Sequence, residues 1–342
     1  MTPLPSAVCD WNFARSCILF DAMCSLHRLA QAAFLFIAAA GAAAAAPVYT
    51  SYTVIGVPGA VWTAPTALNN SDEIVGYYTD SNGVQHGFIR DAGGTFTTVD
   101  VAGADAVALY GINDAGQAAG WYRIGPEGSG GVFYGFIRQP DGTMQVVDVG
   151  PNTEVSGIND LGQVTAASTA GAFFSNATAT SFTSFHVDGS SGAWGMAIND
   201  SSEIAGFALM SSDSRFRGFL RAADGTVTIL QYDDVQTFAW GMNDSGTIVG
   251  TYDEPGHPRG YILLAGDPVF HPFYLPGNAT GFTWLGGINN ANAIVGTADG
   301  IGGFFSAPSG ETPEPATWTL LLGGLAALTV LAAAAPLGFR AR

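Results

Sequence analysis

The chain has 342 residues, a formal net charge of −17 at pH 7 and no lysine. Between Pro47 and Glu311, seven arginines are set against 25 acidic residues. A surface of that sign repels nucleic-acid phosphates and anionic lipids, so neither is expected to bind this region. All three cysteines (Cys9, Cys17, Cys24) lie near the N-terminus, which excludes a disulfide-stapled domain and a thiol enzyme in the rest of the chain.

Residues 1–45 have the features of a secretory signal peptide. Met23 is a candidate for the true start, because residues 1–22 fit no export pattern. After Met23, a basic pair precedes an apolar stretch and an alanine tract with small residues for cleavage near Ala45. The apolar stretch is short for a membrane anchor. We therefore predict a signal helix that signal peptidase removes.

Residues 46–311 contain a turn motif, Asn-Asp-x-Gly in its commonest form, that recurs six times at intervals of 40 to 46 residues. A fixed period in the forties is typical of propellers and solenoids. Asn, Asp and Gly favour tight turns, so each copy predicts a hairpin between two antiparallel strands. The first asparagines of the six turns are Asn69, Asn113, Asn159, Asn199, Asn243 and Asn289.

The residues around each turn predict four short strands per repeat. Gly or Ala stands two residues before each of these asparagines, which indicates an inner strand whose backbone is pressed against a neighbouring backbone. A Gly-Phe or similar strand follows the hairpin, and a β-rich run such as Phe96–Val101 follows that. Four strands with their turns fill roughly 40–45 residues.

The two ends of the repeat region are complementary. A β-rich run at Tyr52–Val57 precedes the first hairpin, whereas the last repeat has no such run after its Gly-Phe strand. We therefore predict an all-β, six-bladed β-propeller of about 24 strands, in which the N-terminal strand completes the last blade. An open β-solenoid is the alternative, and it would not need this division between the ends.

Residues 312–342 form a second targeting segment. The apolar run 318–339 is uncharged, and as a helix it is about 33 Å long, which matches a ~30 Å hydrocarbon core. Arg340 and Arg342 follow it and are expected to stay on the cytoplasmic side. The sequence thus predicts a transmembrane helix that anchors the chain in the inner membrane.

This segment resembles the PEP-CTERM sorting signal of Gram-negative bacteria, through the sorting motif Pro313-Glu314-Pro315, the apolar helix and the basic tail. The tail has only two arginines, fewer than many such signals. The resemblance implies that an exosortase recognises the chain, that the tail is removed near the motif, and that the protein reaches the cell surface or the exopolysaccharide matrix.

The repeats, over roughly residues 50–306, resemble the HAF family of bacterial extracellular repeats through Gly-Ile-Asn-Asp-x-Gly and Gly-Phe. That resemblance implies no activity.

No catalytic residue is predicted, because the chain lacks the His-Glu-x-x-His, Gly-x-Ser-x-Gly and P-loop patterns. The neighbouring acids Asp233-Asp234 and Asp253-Glu254 could serve as glycosidase carboxylates, which need a separation of ~5–9 Å. Adjacent acids in loops are more often solvated surface.

One set of residues suggests a metal site. If the hairpin turns surround a channel, four aspartates form an incomplete carboxylate ring that Asn70 and Asn290 complete. Ca²⁺ favours such oxygen ligands and is the only cofactor that the sequence suggests. The simpler explanation is that each aspartate makes its own turn. The four aspartates are Asp114, Asp160, Asp200 and Asp244.

These features favour a non-enzymatic surface or matrix protein that binds or displays surface polysaccharide. The alternative is a secreted hydrolase or lyase that acts on polysaccharide, which a carboxyl group of raised pKa in a cleft would favour. Five tryptophans could stack on sugar rings or pack between blades: Trp62, Trp121, Trp194, Trp240 and Trp284.

Overall fold

The computed structural model describes residues 46–125, 130–254, 257–278 and 281–309. The predicted signal segment and sorting segment, with the helix over 318–339, lie outside the described residues. The described part consists of strands, turns and connecting segments. It contains no helix long and apolar enough to span a bilayer.

The strands follow the repeats in the order that the sequence predicts. β1 (Thr53–Ile55) stands alone before the first repeat, which supplies β2 (Trp62–Leu68), β3 (Ile74–Thr79), β4 (Gln85–Arg90) and β5 (Phe96–Val99). The second repeat supplies β6 (Ala106–Ile112), β7 (Ala118–Ile124), β8 (Val132–Arg138) and β9 (Met144–Val147). The third supplies β10 (Glu154–Ile158), β11 (Val164–Ser168), β12 (Gly171–Ser175) and β13 (Phe182–Phe185).

The last three repeats continue this pattern, and the sixth has only three strands. The fourth repeat supplies β14 (Ser190–Ile198), β15 (Ile204–Met210), β16 (Phe216–Arg221) and β17 (Val227–Leu230). The fifth supplies β18 (Thr237–Met242), β19 (Ile248–Glu254), β20 (His257–Leu263) and β21 (Phe270–Pro272). The sixth supplies β22 (Thr283–Ile288), β23 (Ile294–Ala298) and β24 (Gly302–Ser306).

The described strands form four separate four-stranded sheets and one eight-stranded sheet. The prediction of six separate blades is therefore wrong as a description of the hydrogen-bonded sheets, because the first two repeats share one. A single parallel bridge between Gln85 and Ala106 joins β4 to β6, and Gln85 Nε2 also donates to the Val107 carbonyl at 3.3 Å. The strand ladder thus crosses the boundary between these two repeats.

The N-terminal strand completes the last sheet, as predicted. β1 pairs antiparallel with β24, Thr53 opposite Phe305 and Ile55 opposite Gly303. Near the same junction the Ser306 hydroxyl donates to the Ser51 carbonyl at 2.6 Å. The chain is therefore closed into a ring by its own ends, which rules out the open solenoid and confirms the all-β propeller fold.

The core lies between neighbouring sheets. The aromatic residue of the Gly-Phe strand fills it in five of the six repeats: Phe88, Phe136, Phe219 and Phe304 are fully buried, as is Tyr261 of the fifth repeat.

The innermost strands meet through their backbones. A Cβ on Gly111 would lie 3.0 Å from the Ile158 nitrogen, and one on Gly241 would lie 2.9 Å from the Gly286 carbonyl oxygen. The prediction that only a small residue fits two places before each turn asparagine is confirmed.

Candidate functional site

The six turns surround one end of the central channel, and their asparagines connect one turn to the next. Each asparagine is almost fully buried and its side-chain oxygen accepts backbone N–H groups of its own turn, as Asn69 does from Ser71 and Glu73. The side-chain nitrogen donates to the carbonyl of the next turn asparagine at five of the six junctions: Asn69 to Asn113, Asn113 to Asn159, Asn159 to Asn199, Asn243 to Asn289 and Asn289 to Asn69. The asparagine is thus both a turn former and a link between repeats.

The residues that follow these asparagines form a second, closed ring. The backbone N–H of each donates to the side-chain oxygen of the next, over 2.6 to 3.0 Å. The structure therefore brings together all six residues of the predicted carboxylate ring. In ring order they are Asn70, Asp114, Asp160, Asp200, Asp244 and Asn290.

The aspartates of this ring do not make their own turns, because each accepts a backbone N–H of the preceding repeat, whereas the turn asparagine closes its own turn. One oxygen of each aspartate already accepts a backbone N–H. The carboxylate oxygens of Asp160, Asp200 and Asp244 lie within 4.8 Å of one another, so their charges repel. Partial burial and the neighbouring carboxylates raise the pKa of Asp160. A Ca²⁺ site here stays a prediction.

A β-bulge in every inner strand shapes the channel. The pairing register shifts at the third residue before each turn asparagine, as at Tyr110 between Leu109 and Gly111 and at Trp240 between Ala239 and Gly241. A bulge re-aims a side chain, and the bulged Tyr110, Met196 and Trp240 line the channel. The other bulged residues are Thr66, Ser156 and Gly286.

Aromatic side chains stand three or five residues before the turn asparagine on four of the inner strands, and two of them, Tyr110 and Trp240, line the channel. We call this set the aromatic mouth: Tyr110, Trp194, Phe238, Trp240 and Trp284. All five are only partly buried. The ring centroids of Trp240 and Trp284, from neighbouring repeats, are 5.7 Å apart, and Trp240 stacks on Phe238 at 5.7 Å. The tryptophans thus pack between repeats and still present part of their surface to solvent.

Glu154 is a carboxyl group beside Tyr110 of this mouth, and no sequence motif predicted it. It is the first residue of β10 and stands five residues before its turn asparagine, the position that Trp194 and Trp284 occupy in their repeats. Burial raises the pKa of Glu154. Burial and the nearby Tyr77 and Glu154 also raise the pKa of Tyr110. The sequence signal for Glu154 is its place five residues before the turn asparagine, where two other repeats have a tryptophan.

The other predicted acids do not form a cleft. Asp234 lies 2.9 Å from Arg215, Glu254 pairs with Arg259, and Asp253 accepts a hydrogen bond from Gln236. These contacts are those of a solvated surface.

The two remaining tryptophans are outside this set, although the Trp121 ring stacks on that of Tyr110 at 6.4 Å. Trp62 is 44% exposed, and Trp121 packs edge-on against Phe133 at 5.0 Å. The sorting motif Pro313-Glu314-Pro315 lies outside the described residues.

The fold and this site define a β-propeller with a polar ring at one end of its channel and an aromatic mouth on its inner strands. No family model matches the chain, and no curated protein sequence matches it.

Among solved structures, putative TolB from Agrobacterium tumefaciens superposes with a TM-score of 0.51 at 12% identity, over 67% of this chain and 86% of that one. Virginiamycin B lyase from Staphylococcus aureus superposes with a TM-score of 0.47 at 10% identity, over 76% of this chain and 99% of that one. The β-propeller domain of the Trilobed protease from Pyrococcus furiosus superposes with a TM-score of 0.44 at 11% identity, over 73% of this chain and 96% of that one. At these identities the likeness concerns the fold alone.

Proposed function

We propose that this protein is an exported surface or matrix component that binds polysaccharide at the aromatic mouth, without turnover. The observation that carries the proposal is the set of five partly exposed aromatic side chains on the inner strands, of which Tyr110 and Trp240 line the channel. Aromatic faces give large contact area at low entropic cost and are enriched where one protein surface must recognise another molecule. The acidic, lysine-free surface favours a polysaccharide that is neutral or cationic.

The scaffold in this proposal is a ring of six blades, with the eight-stranded sheet counted as two. Support comes from the six turns, which form one closed circle of hydrogen bonds. It also comes from the single bridge that joins the first two repeats, since each of these repeats pairs its own four strands fully.

The second candidate is a polysaccharide-active hydrolase or lyase, and Glu154 favours it. A carboxyl group whose pKa is raised by burial can hold a proton for a leaving group. A glycosidase of the usual kind needs a second carboxylate within ~5–9 Å of the first. The neighbour that the structure shows beside Glu154 is instead the phenol of Tyr110, so binding is the better-supported function.

Binding and turnover are tested in one tube. The protein is mixed with exopolysaccharide from the source cells, and co-sedimentation is measured together with new reducing ends. We expect retention without new ends, weakened in Trp284→Leu and unchanged in the exposed control Trp62→Leu, with melting temperatures checked for both. New ends that vanish in Glu154→Gln would replace the binding function by the enzymatic one.

The proposed localisation of the protein rests on the two targeting segments. Signal peptidase and an exosortase process the chain, which is transiently held in the inner membrane by the segment 318–339 and then released to the surface or matrix. Fractionation of source cells tests this. Alanine at Pro313, Glu314 and Pro315 should leave the protein in the inner membrane, whereas a variant found at the surface in normal amount would contradict the proposal.

A further inference from the structure

Glu154 is a half-buried carboxyl group without a partner. Within residues 46–125, 130–254, 257–278 and 281–309, no hydrogen bond or ion pair to its side chain is found. Its environment is aromatic: Tyr110 lies on the neighbouring inner strand, and the Tyr110 ring is 6.2 Å from Tyr77 and 6.4 Å from Trp121, on which it stacks. The carboxyl group therefore bears an uncompensated charge beside π-systems, which costs free energy in the unbound protein.

The position of Glu154 follows from the repeat. The inner strands β6 and β10 touch where a Cβ on Gly111 would meet the Ser156 carbonyl oxygen at 3.2 Å. This places the start of β10 beside Tyr110, just as Trp284 of the sixth repeat lies beside Trp240 of the fifth. Solvent still reaches the side chain, because Glu154 is only partly buried.

The fold does not require a carboxyl group at this position. The corresponding residues of the other five repeats are all apolar, and they are Ala64, Ala108, Trp194, Phe238 and Trp284. Glu154 is a charged residue at a position that is apolar in the other repeats, and it pairs with no cation among the residues that the structure describes. This points to a cation from outside the protein.

We propose that Glu154, with the rings of Tyr110, Tyr77 and Trp121, binds an ammonium group, and that the ammonium group is that of an amino sugar in the polysaccharide. Aromatic faces attract ammonium groups through their quadrupoles, and a carboxylate beside them adds a charge-assisted hydrogen bond. The sugar ring that carries the ammonium group then stacks on the aromatic mouth. This inference rests on the proposed polysaccharide-binding function and names its ligand class.

The site is tested by calorimetric titration of the full chain in detergent with three probes: a glucosamine oligomer, the N-acetylated oligomer of the same length, and tetramethylammonium. Glu154→Gln removes the charge and keeps the shape of the side chain. Asp188→Asn is the matched control, because it removes one charge from an aspartate whose side chain is 99% exposed. Melting curves accompany both variants.

We expect the glucosamine oligomer to bind more tightly than its acetylated counterpart, and Glu154→Gln to weaken it about 10-fold or more. Asp188→Asn should leave this affinity within about twofold, since an exposed charge contributes little. Equal binding of both oligomers, unchanged in Glu154→Gln, would overturn the ammonium site and leave the polysaccharide function standing.

The remaining outcomes separate the two proposals in the other direction. Binding of tetramethylammonium that is lost in Glu154→Gln, with neither oligomer bound, would support the ammonium site and overturn the amino sugar as its ligand, and the co-sedimentation test then decides the polysaccharide function. Binding of none of the three probes would overturn the site.

Discussion

At the residue scale, the repeats can be compared position by position. A residue type shared by most repeats serves the fold, and a repeat with a different residue at that position stands out. Tyr261 is one departure. It takes the place of the core phenylalanine in the fifth repeat, and its hydroxyl is the one fully buried side-chain polar atom, among the described residues, that has no hydrogen-bond partner. The hydroxyl of Tyr261 therefore destabilises the blade core, whereas the aromatic ring of the same side chain stabilises it.

Tyr261→Phe is predicted to raise the free energy of unfolding by about 1–2 kcal/mol, because an unsatisfied buried hydroxyl is removed without leaving a large cavity. Chemical denaturation with constant m-value measures it. The reciprocal Phe88→Tyr, at the fully buried equivalent position, should lower stability by a similar amount. A Tyr261→Phe protein less stable than the parent would show that the hydroxyl has a partner.

Glu154→Gln is predicted to raise stability at pH 7 on the order of 1 kcal/mol, since a partly buried, unpaired charge is removed. Burial raises the pKa of Glu154 in the folded state above its ordinary value of 4.5. The penalty is therefore absent below the ordinary value and grows as the pH rises through the raised pKa. Melting curves of the two proteins should coincide near pH 3 and separate by pH 7. Separation that grows instead toward low pH would contradict this sign.

Asp160→Asn tests the polar ring against its calcium alternative. Asn70 and Asn290 already accept the same backbone N–H at their positions, so the amide fits. Because the pKa of Asp160 is raised, ionisation opposes folding above that pKa. Asp160→Asn should therefore gain on the order of 0.5 kcal/mol at pH 7, a small value because the group is exposed.

Asp114→Asn is the matched control for this gain. The second oxygen of Asp114 accepts a hydrogen bond from Asn70 Nδ2 at 2.8 Å, and an amide there loses a charge-assisted acceptor, so stability should fall. A calcium titration of the parent protein accompanies both variants. If calcium raises the melting temperature and Asp160→Asn abolishes that rise, the ring is a calcium site.

At the element scale, the inner strands combine backbone contact on one side with side-chain display on the other. Their small residues let six strands approach the same axis, and the bulge one residue earlier turns Tyr110, Met196 and Trp240 into the channel. The same short segment thus sets the diameter of the ring and the chemistry of its mouth.

Gly241→Ala is predicted to destabilise the protein by at least about 2 kcal/mol, because the new methyl group would lie 2.9 Å from both the Gly286 carbonyl oxygen and the Gly287 Cα and the backbones must separate. Gly56→Ala is the control, since a Cβ there meets nothing within 4 Å. It should be neutral or slightly stabilising. Thermal unfolding of both proteins checks the difference, and equal melting temperatures would contradict the close approach.

At the scale of the whole molecule, stability depends on closure. The last sheet is made from both ends of the described chain, so its strands are far apart in sequence and their pairing holds the ring shut. A propeller closed in this way leaves only short edges.

Deletion of residues 46–57 is predicted to remove several kcal/mol and to promote association, because β24 becomes an unpaired edge. Melting temperature and sedimentation velocity measure both effects. A permuted chain that carries residues 46–57 after Ser309 through a short linker should recover most of the loss. If the permuted chain is no more stable than the deletion, β1 does not act by pairing with β24.

The sequence alone determined the repeat, its turns, its four strands and the closure by the N-terminal strand, because these follow from local turn chemistry and from the number of complete units. The count of separate sheets did not follow, since the bridge from Gln85 to Ala106 joins residues whose proximity depends on the docking of two repeats. Only part of the candidate functional site could be predicted from the sequence. The six ring residues at the turns were predicted because they repeat at every turn.

The tertiary structure decided the channel lining and the place of Glu154. A bulge changes which way a side chain points without changing the hydrophobic pattern, and the neighbours of Glu154 come from another repeat. The physical reason is the same in both cases. Local sequence specifies turns and strands, whereas a mouth assembled from several repeats is specified by the way their inner strands pack around one axis.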